Sequence, residues 1–579
     1  MKKIKQLVCT ALSVFLMTGC STGSATSNSE TLFKSGTYEA SSAGRNGDVK
    51  LTVTFSDSKI EKIETENEET SGIGDVAIEK LIDTTIDTQS VPDAVTGATI
   101  SSNAFIEAFK DTVKQAGTDP DSLKGKESAK EETDYETEAD IIVIGAGAAG
   151  MSAAITANEA GKSVILLEKS TATGGNTPAA ANGINAADTD VQLKNEDYIN
   201  AGASVKGLEE LQLQNPNARE NLVGAFAEKS KEVIEWFEKM GVEYEVDISK
   251  DDRNTLQNYY MLQARKDGST GITMINALTK ELKKTDVKLY TEMDAYKLVQ
   301  DESGRVTGVI AKSSSGKDIT FNGNSVLIAT GGFGHNNELI AKYNEKLANC
   351  TTDEIAPTTG EGLEMALDVG AKAVDLKEIQ TFPVVAEGYG MVTPNKLPGG
   401  FQVSAIIVND NAERFTKEGF EIGDAILDQS EGHAYMIFDE SQLNDDLKQM
   451  VEGGYIKEAD TAEELAEELG LDPTKLSETI SKYNDDIADG TDDAFGKENP
   501  VKLEGKLYGF RYGVGAHYFM GGILINEKTQ VLDENEEPIE GLYAAGEVTG
   551  GFHGTQRIDG SGLGDSFVFG KIAGEELSK

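Results

Sequence analysis

Gly145, Gly147 and Gly150 stand in the order G-x-G-x-x-G, with Ala149 inside the run. Glycines at this spacing permit a tight turn and close backbone approach to a pyrophosphate. A helix opening there offers unpaired N–H groups and the positive end of its dipole to the anion. Glu168 lies 23 positions after Gly145, where a carboxylate can accept ribose hydroxyls. The chemistry expected is dinucleotide binding. Metal chemistry is not expected: four histidines with no clustered His/Cys/Asp/Glu spacing give no ligand set. His335 and His433 read as structural, and Cys350 as a small core or surface residue. The chain has no C-x-x-C-H haem attachment motif, and its three cysteines make no disulfide framework.

The elements that must position these residues follow from periodicity. The run Ala139 to Ile144 reads as a buried parallel strand, Met151 to Ala160 as a helix, and Ser163 to Leu167 as a second strand ending at Glu168. Upstream, Val49, Leu51, Val53 and Phe55 alternate with polar residues as in a half-buried strand. Ile60 and Ile63 suggest another strand. Residues 76–85 and 102–116 show helical spacing, the second with Phe105, Ile106, Phe109 and Val113 on one side. Residues 118–137 are polar and acidic and read as a linker. The acidic stretches near 205–220 and 460–469 read as solvated helix faces.

The 579 residues allow about three or four domains at roughly 150 residues each. The net charge of −46 argues against nucleic acid, which needs a basic face, and against attraction to anionic lipid. Gly is abundant (61) and Pro sparse (11), as suits an α/β enzyme. At the N-terminus, Lys2, Lys3 and Lys5 precede an apolar stretch from Leu7 to Met17, too short to span a bilayer. Leu16-Met17-Thr18-Gly19-Cys20 resembles a bacterial lipobox, which implies cleavage before Cys20, lipidation of its thiol and an extracytoplasmic, membrane-anchored protein. Ser21 to Glu30 reads as a flexible tether. Loss of residues 1–19 removes three lysines and no acid and leaves −49.

Asp93-Ala94-Val95-Thr96-Gly97-Ala98-Thr99-Ile100-Ser101 resembles the flavinylation motif of small FMN-binding domains. The resemblance implies a phosphoester between Thr99 and FMN, made by a separate flavin transferase. Small residues at Gly97 and Ala98 let the backbone approach the flavin chain.

Residues 138–579 resemble the fumarate reductase/flavocytochrome c flavoprotein family. The likeness is carried by Glu168-Lys169 followed by Gly174-Gly175-Asn176-Thr177, by Thr330-Gly331-Gly332-Phe333-Gly334, by Gly541 to Val548 with Glu547, and by Gly560-Ser561-Gly562-Leu563. It implies a non-covalent FAD held by these segments, and an α/β, Rossmann-like FAD-binding domain with an inserted α+β clamp that closes over substrate. The segments expected are a signal (1–19), a tether (20–34), an α+β FMN-binding domain (35–117), the linker (118–137), the FAD domain in two parts (138–379 and 509–579) and the clamp (380–508). Helices are expected at 460–469 and 473–488, with 388–400 as a mobile lip. The combination resembles secreted flavinylated reductases, including urocanate and fumarate reductases. Electrons would pass from a membrane or extracellular donor through FMN to FAD, then by hydride transfer to an activated C=C bond.

Part of the family's substrate constellation is kept. Gly554-Thr555-Gln556-Arg557 makes Arg557 the anchor for a carboxylate, since its planar fork suits bidentate binding. In Ala516-His517-Tyr518-Phe519-Met520-Gly521-Gly522 the family's second His is Tyr518, while His517 remains. In Ile379-Gln380-Thr381-Phe382-Pro383 the His that would hold a second carboxylate is Phe382. Thr393 is close to the family's substrate Thr, with Pro394 replacing a proton-pathway Glu. After Glu413-Arg414-Phe415 the proton-donating Arg is missing, and Arg414 itself reads as structural. A second carboxylate buried against Phe382 would cost several kcal/mol. A monocarboxylate enoate, such as an aryl acrylate, or an enone is expected rather than fumarate, with Tyr518 first and Tyr389 second as proton donor. Two other readings stay open: an enone-forming, ketosteroid dehydrogenase-like enzyme and a non-catalytic electron-transfer flavoprotein. The alkene, the donor and the oligomeric state are not specified by the sequence.

Overall fold

A computed structural model describes residues 32–44, 47–67, 69, 74–92, 94–95, 99–123, 134–246, 256–266, 268–419, 421–487, 490, 492 and 494–579. The lipobox with Cys20, the tether, Asp93, and Thr96 to Ala98 lie outside them. Thr99 is described only as the first residue of a helix.

The N-terminal domain is a three-stranded antiparallel sheet in the order β1 (Gly36–Ala43), β2 (Asp48–Phe55), β3 (Ile60–Glu66). It is covered by α1 (Gly74–Thr88) and α2 (Thr99–Gln115). The alternation in β2 sends Val49, Leu51, Val53 and Phe55 into one core with Phe105 and Phe109 of α2. β1 carries no such alternation in its residues and escaped the sequence reading. The first part of the linker packs on this domain: Asp119 caps a short turn at Pro120–Ser122, and the Thr118 hydroxyl donates to Leu32 O.

The central domain is built on β4 (Glu138–Ile144), α3 (Ala148–Glu159) and β5 (Val164–Leu167). β4 lies between β5 and the long strand Asp318–Ile328, parallel to both. Ile142 is in register with Ile165 on one side and Val326 on the other. The last strand of the unit, Pro538–Ala544, returns parallel to Asp318–Ile328. Ten of the twelve residues of α3 are buried, because it is sandwiched between this sheet and the C-terminal helix Ser561–Leu577. This is the α/β architecture expected.

The clamp has its own sheet, with strands Ile379–Ala386, Leu507–Phe519, His433–Asp439 and Ile406–Val408 hydrogen-bonded in that order. Successive residues of His433–Asp439 feed opposite faces: Ala434, Met436 and Phe438 enter one core, Tyr435 and Ile437 the other. The second core is covered by helices Ala462–Leu469 and Pro473–Asp486, as the sequence predicts. The boundary expected at 508 falls inside a strand. Leu507–Phe519 begins in the clamp and ends at the central domain, so one continuous strand carries His517 and Tyr518 from the clamp sheet to the site.

Candidate active site

A cavity of about 2750 Å³ lies where the three units meet. Its dinucleotide end is made by the turn after β4. Gly145 has φ +99°, and a Cβ there would fall 2.3 Å from Ala329 O, so glycine is obligatory. Gly150 lies against the Gly145 carbonyl, 1.8 Å from where its own Cβ would stand. Gly147, the N-cap of α3, is different: a Cβ there would meet only Gly174 O at 3.9 Å. The space over the helix N-terminus is open to an anion.

Glu168 accepts from Ala146 N (2.8 Å) and Ser170 N (2.7 Å), which ties the end of β5 to the glycine turn while its carboxylate still lines the cavity. Thr177 Oγ1 accepts from Ala148 N, Asn176 Oδ1 accepts from Ile355 N, and Gly175 packs on Gly147. The Lys169 ammonium donates to Glu361 and Thr359 at the rim. Thr330 Oγ1 and Asn215 Nδ2 are buried on the cavity wall with no protein partner. A glycine cradle at a helix N-terminus, a carboxylate at the second strand and orphaned polar atoms along the wall fit FAD.

Behind Gly331 and Gly332 two buried carboxyl groups converge. Glu547 accepts from Phe519 N (3.0 Å), and Glu354 accepts from Gly334 N (3.0 Å). A Cβ on Gly332 would come within 3.0 Å of Glu354 Oε1 and 3.2 Å of Glu547 Oε1. Burial pushes both carboxyls up, Glu354 further because of Glu547 beside it. Leu563 and Gly562 line the cavity. Ser561 does not: its hydroxyl is fully buried between Asn185 and Gln212, because the left-handed Gly560 turns the helix start inward. The contact expected of this segment is through its backbone, and the inward turn of the Ser561 hydroxyl leaves that expectation as it stands.

At the other end stands Arg557. Gln380 Oε1 accepts from its Nε at 2.7 Å, and the Tyr518 ring lies 4.9 Å from its guanidinium carbon. Among the described residues no carboxylate pairs with its two terminal nitrogens. Gln380 comes from strand Ile379–Ala386 and Tyr518 from the neighbouring strand, directly opposite in register. The fork is therefore held at its root and face, and left open at its tip.

Tyr518 is not placed as a proton donor. Its hydroxyl donates to Asp565 Oδ2 (2.9 Å) and meets His553 Nε2 at 3.1 Å, and neither partner lines the cavity. Burial and then the Asp565 charge hold this phenol well above its ordinary range. Burial lowers His553 and favours its neutral form. Tyr518 thus presents its ring to the cavity and its polar end to a buried network. Tyr389, on the cavity wall, accepts from Lys396 Nζ at 3.0 Å and packs against Tyr455. The Thr393 hydroxyl is turned onto Asn395. His517 faces the cavity beside Phe382, ring centroids 6.2 Å apart, and its Nδ1 lies 2.7 Å from Asp353 Oδ2.

The N-terminal domain reaches the same cavity. Ile100 and Ser101, just after Thr99, line it together with Glu69, whose carboxylate accepts from the Ser101 hydroxyl. Lys80 of α1 pairs with Glu292 of the central domain at 3.2 Å.

Residues 140–563 match the FAD binding domain family, and residues 44–114 match the FMN-binding domain family. The chain belongs to the FAD-binding oxidoreductases related to fumarate reductase and is a flavoenzyme of that family. It is 31% identical to urocanate reductase of Eggerthella lenta, over 92% of this chain and 90% of that one. It is 30% identical to the NADH:acrylate oxidoreductase of Vibrio harveyi, over 94% of this chain, and spans 61% of that longer protein. Among solved structures, the open conformation of a flavocytochrome c3 fumarate reductase superposes with a TM-score of 0.69 at 28% identity, covering 79% of this chain and 83% of that one. Among the described residues no group of His, Cys, Asp and Glu could hold a metal ion. Likewise, no helix among them is long and apolar enough to cross a membrane.

Five polar residues of the site escaped sequence reasoning: Asp353, Glu354, Gln380, His553 and Asp565. Two carried a signal: Gln380, inside the family-like segment Ile379 to Pro383, and His553, one of four histidines and four positions before Arg557.

Proposed function

We propose that this flavoenzyme reduces the C=C bond of an α,β-unsaturated monocarboxylate, with an aryl or other apolar substituent, outside the cytoplasm. The open fork of Arg557 carries this reading. In a chain of net charge −46, a guanidinium with no acidic partner at its tip is a place kept for an anion from outside. FAD bound along the glycine turn supplies a hydride, and FMN attached at Thr99 supplies electrons to it. Arg557 holds the carboxylate bidentately and draws charge from the double bond, Gln380 and the Tyr518 ring fix its plane, and Phe382 offers an apolar wall. Fumarate fits poorly, because its second carboxylate would meet Phe382 instead of the family's His. The similarity to relatives named for urocanate and acrylate supports an enoate. Residues 1–20 support export and lipid attachment at Cys20, and the linked domains support electron delivery from a membrane or extracellular donor in anaerobic respiration.

The test is direct. The purified protein, coexpressed with a flavin transferase, is reduced with dithionite or a viologen and then offered urocanate, cinnamates, acrylate, fumarate and enones. Fast reoxidation by a monocarboxylate enoate is expected. Reoxidation by fumarate alone overturns the substrate reading, and reoxidation by none makes the protein an electron carrier. Thr99→Ala should lose gel-visible covalent flavin fluorescence.

A further inference from the structure

We propose that Asp353 and His517 form the proton-donating pair of this site, with Asp353 as the positioning residue and His517 Nε2 as the donor. The inference rests on the enoate reading above. Reduction adds a hydride to one alkene carbon and a proton to its neighbour, so a site that lacks the family's Arg must hold an acid elsewhere on the cavity wall. Tyr518 is excluded by its hydroxyl lying behind the wall, and the Thr393 hydroxyl is occupied by Asn395.

His517 meets the requirement. Leu507–Phe519 runs beside Thr351–Thr352 with Ala516 in register with Thr352, which brings Asp353 against the next residue on the strand. The Asp353 carboxylate, mostly buried at 11% side-chain exposure, fixes the imidazole through Nδ1 at 2.7 Å. His517 is 28% exposed and faces the cavity, and Nε2 has no protein partner among the described residues. A carboxylate on Nδ1 takes that N–H and orients the ring, so a ring that donates from Nε2 carries both protons with Asp353 as its counter-ion. The groups brought to the ring are Asp353 from the loop after Thr351–Thr352, Glu547 from the loop after Pro538–Ala544, and uncharged Phe382 from Ile379–Ala386. In the step, the hydride comes from reduced flavin. The Nε2–H bond breaks as a C–H bond forms on the adjacent carbon, and the neutral imidazole regains a proton from water.

The experiment compares reoxidation of the pre-reduced flavinylated protein by the best enoate, across pH, for wild type, His517→Gln and Asp353→Asn. His517→Gln should slow reoxidation at least about 100-fold with flavin content and spectrum unchanged. Asp353→Asn should slow it about tenfold or more, in kcat and not in KM, and a fourth protein, Asp353→Glu, should recover part of that loss. Wild type that no enoate reoxidises overturns the enoate reading and this pair with it. Active wild type matched by His517→Gln overturns the pair alone. A loss in Asp353→Asn confined to KM, or no recovery in Asp353→Glu, overturns the positioning role.

Discussion

Two arginines in this chain sit in opposite surroundings. Arg557 has a Gln on Nε, an aromatic ring on its face and nothing acidic at its tip. Arg414 in the clamp donates to Glu418 through Nε and NH2 and to Asp492 through NH1 and NH2. Its side chain is 6% exposed and those of both acids 0%. Tyr483 and Phe495 cover its faces at 4.8 and 4.9 Å. Lys497 completes the cluster, 3.6 Å from Glu418. A guanidinium whose nitrogens are all answered by the protein is structure. One held only at its root leaves its terminal nitrogens to a ligand, which is the role proposed for Arg557. The partner inventory separates the two.

The contrast breaks most sharply at Arg557. Arg557→Ala should lose about 2–5 kcal/mol of transition-state binding for a carboxylate substrate, about 30- to 4000-fold in kcat/KM, while the thermal midpoint stays near wild type. Arg557→Lys should recover only part of this, because an ammonium lacks the planar fork. Equal loss on an uncharged enone would show that the fork reads something other than a carboxylate.

Arg414→Ala should do the reverse. It strands Glu418 and Asp492 in the clamp core, at a cost of about 3–5 kcal/mol in denaturant unfolding, with kcat unchanged in the fraction that remains folded. The cluster also has an acid signature. The Arg414 hydrogen bond holds Asp492 down at about 2 against an ordinary 3.8. A depressed carboxyl contributes stability that is complete above its unfolded value and lost as pH falls through its folded one. Asp492→Asn should thus narrow its deficit relative to wild type as pH falls from about 4 to about 2. Lys497 shows the same slope in an alkaline window. Burial lowers it to about 8 from 10.5, so its contribution to stability rises between those values.

How far this contrast was legible beforehand depends on range. Local motifs alone make Arg414 read as structural and Arg557 as a carboxylate anchor, and the glycine turn, β4, α3 and β5 announce themselves within thirty residues. β1 did not, since its residues alternate weakly. The partners that complete the site come from far along the chain: Gln380 is 177 positions from Arg557, Asp353 164 from His517, and Asp565 47 from Tyr518. In a chain with 99 acidic residues a single Asp carries no sign of its role. Only the sheet register makes it visible. The same limit misdirected the reading of Tyr518, whose position on the cavity wall was right while the direction of its hydroxyl depended on His553 and Asp565.

Tyr518→Phe sharpens that point. It keeps the ring beneath Arg557 and removes the hydroxyl, leaving Asp565 and His553 without their shared partner. A stability loss of about 1–3 kcal/mol is expected, with turnover falling no more than a few-fold. A drop beyond about 100-fold at unchanged flavin content would restore the phenol as the proton donor and remove the distinction between its ring and its hydroxyl.

The smallest effect should come from Gln380→Leu, which tests whether the fork must be held at its root. Without the 2.7 Å bond to Nε the guanidinium keeps its charge, its contact with the Tyr518 ring and its access to the cavity. What it loses is orientation. One hydrogen bond to a charged group is worth about 1.5–3 kcal/mol when its partner is stranded. Here water entering the cavity can replace the lost acceptor, so about 1 kcal/mol is expected, near fivefold. It should fall mainly on KM, because Gln380 sets the fork for docking the carboxylate and does not itself meet the charge that develops in the reaction. A fall in kcat instead would mean that the angle of the fork is set for the reacting geometry, and that Gln380 matters to Arg557 as Asp353 does to His517.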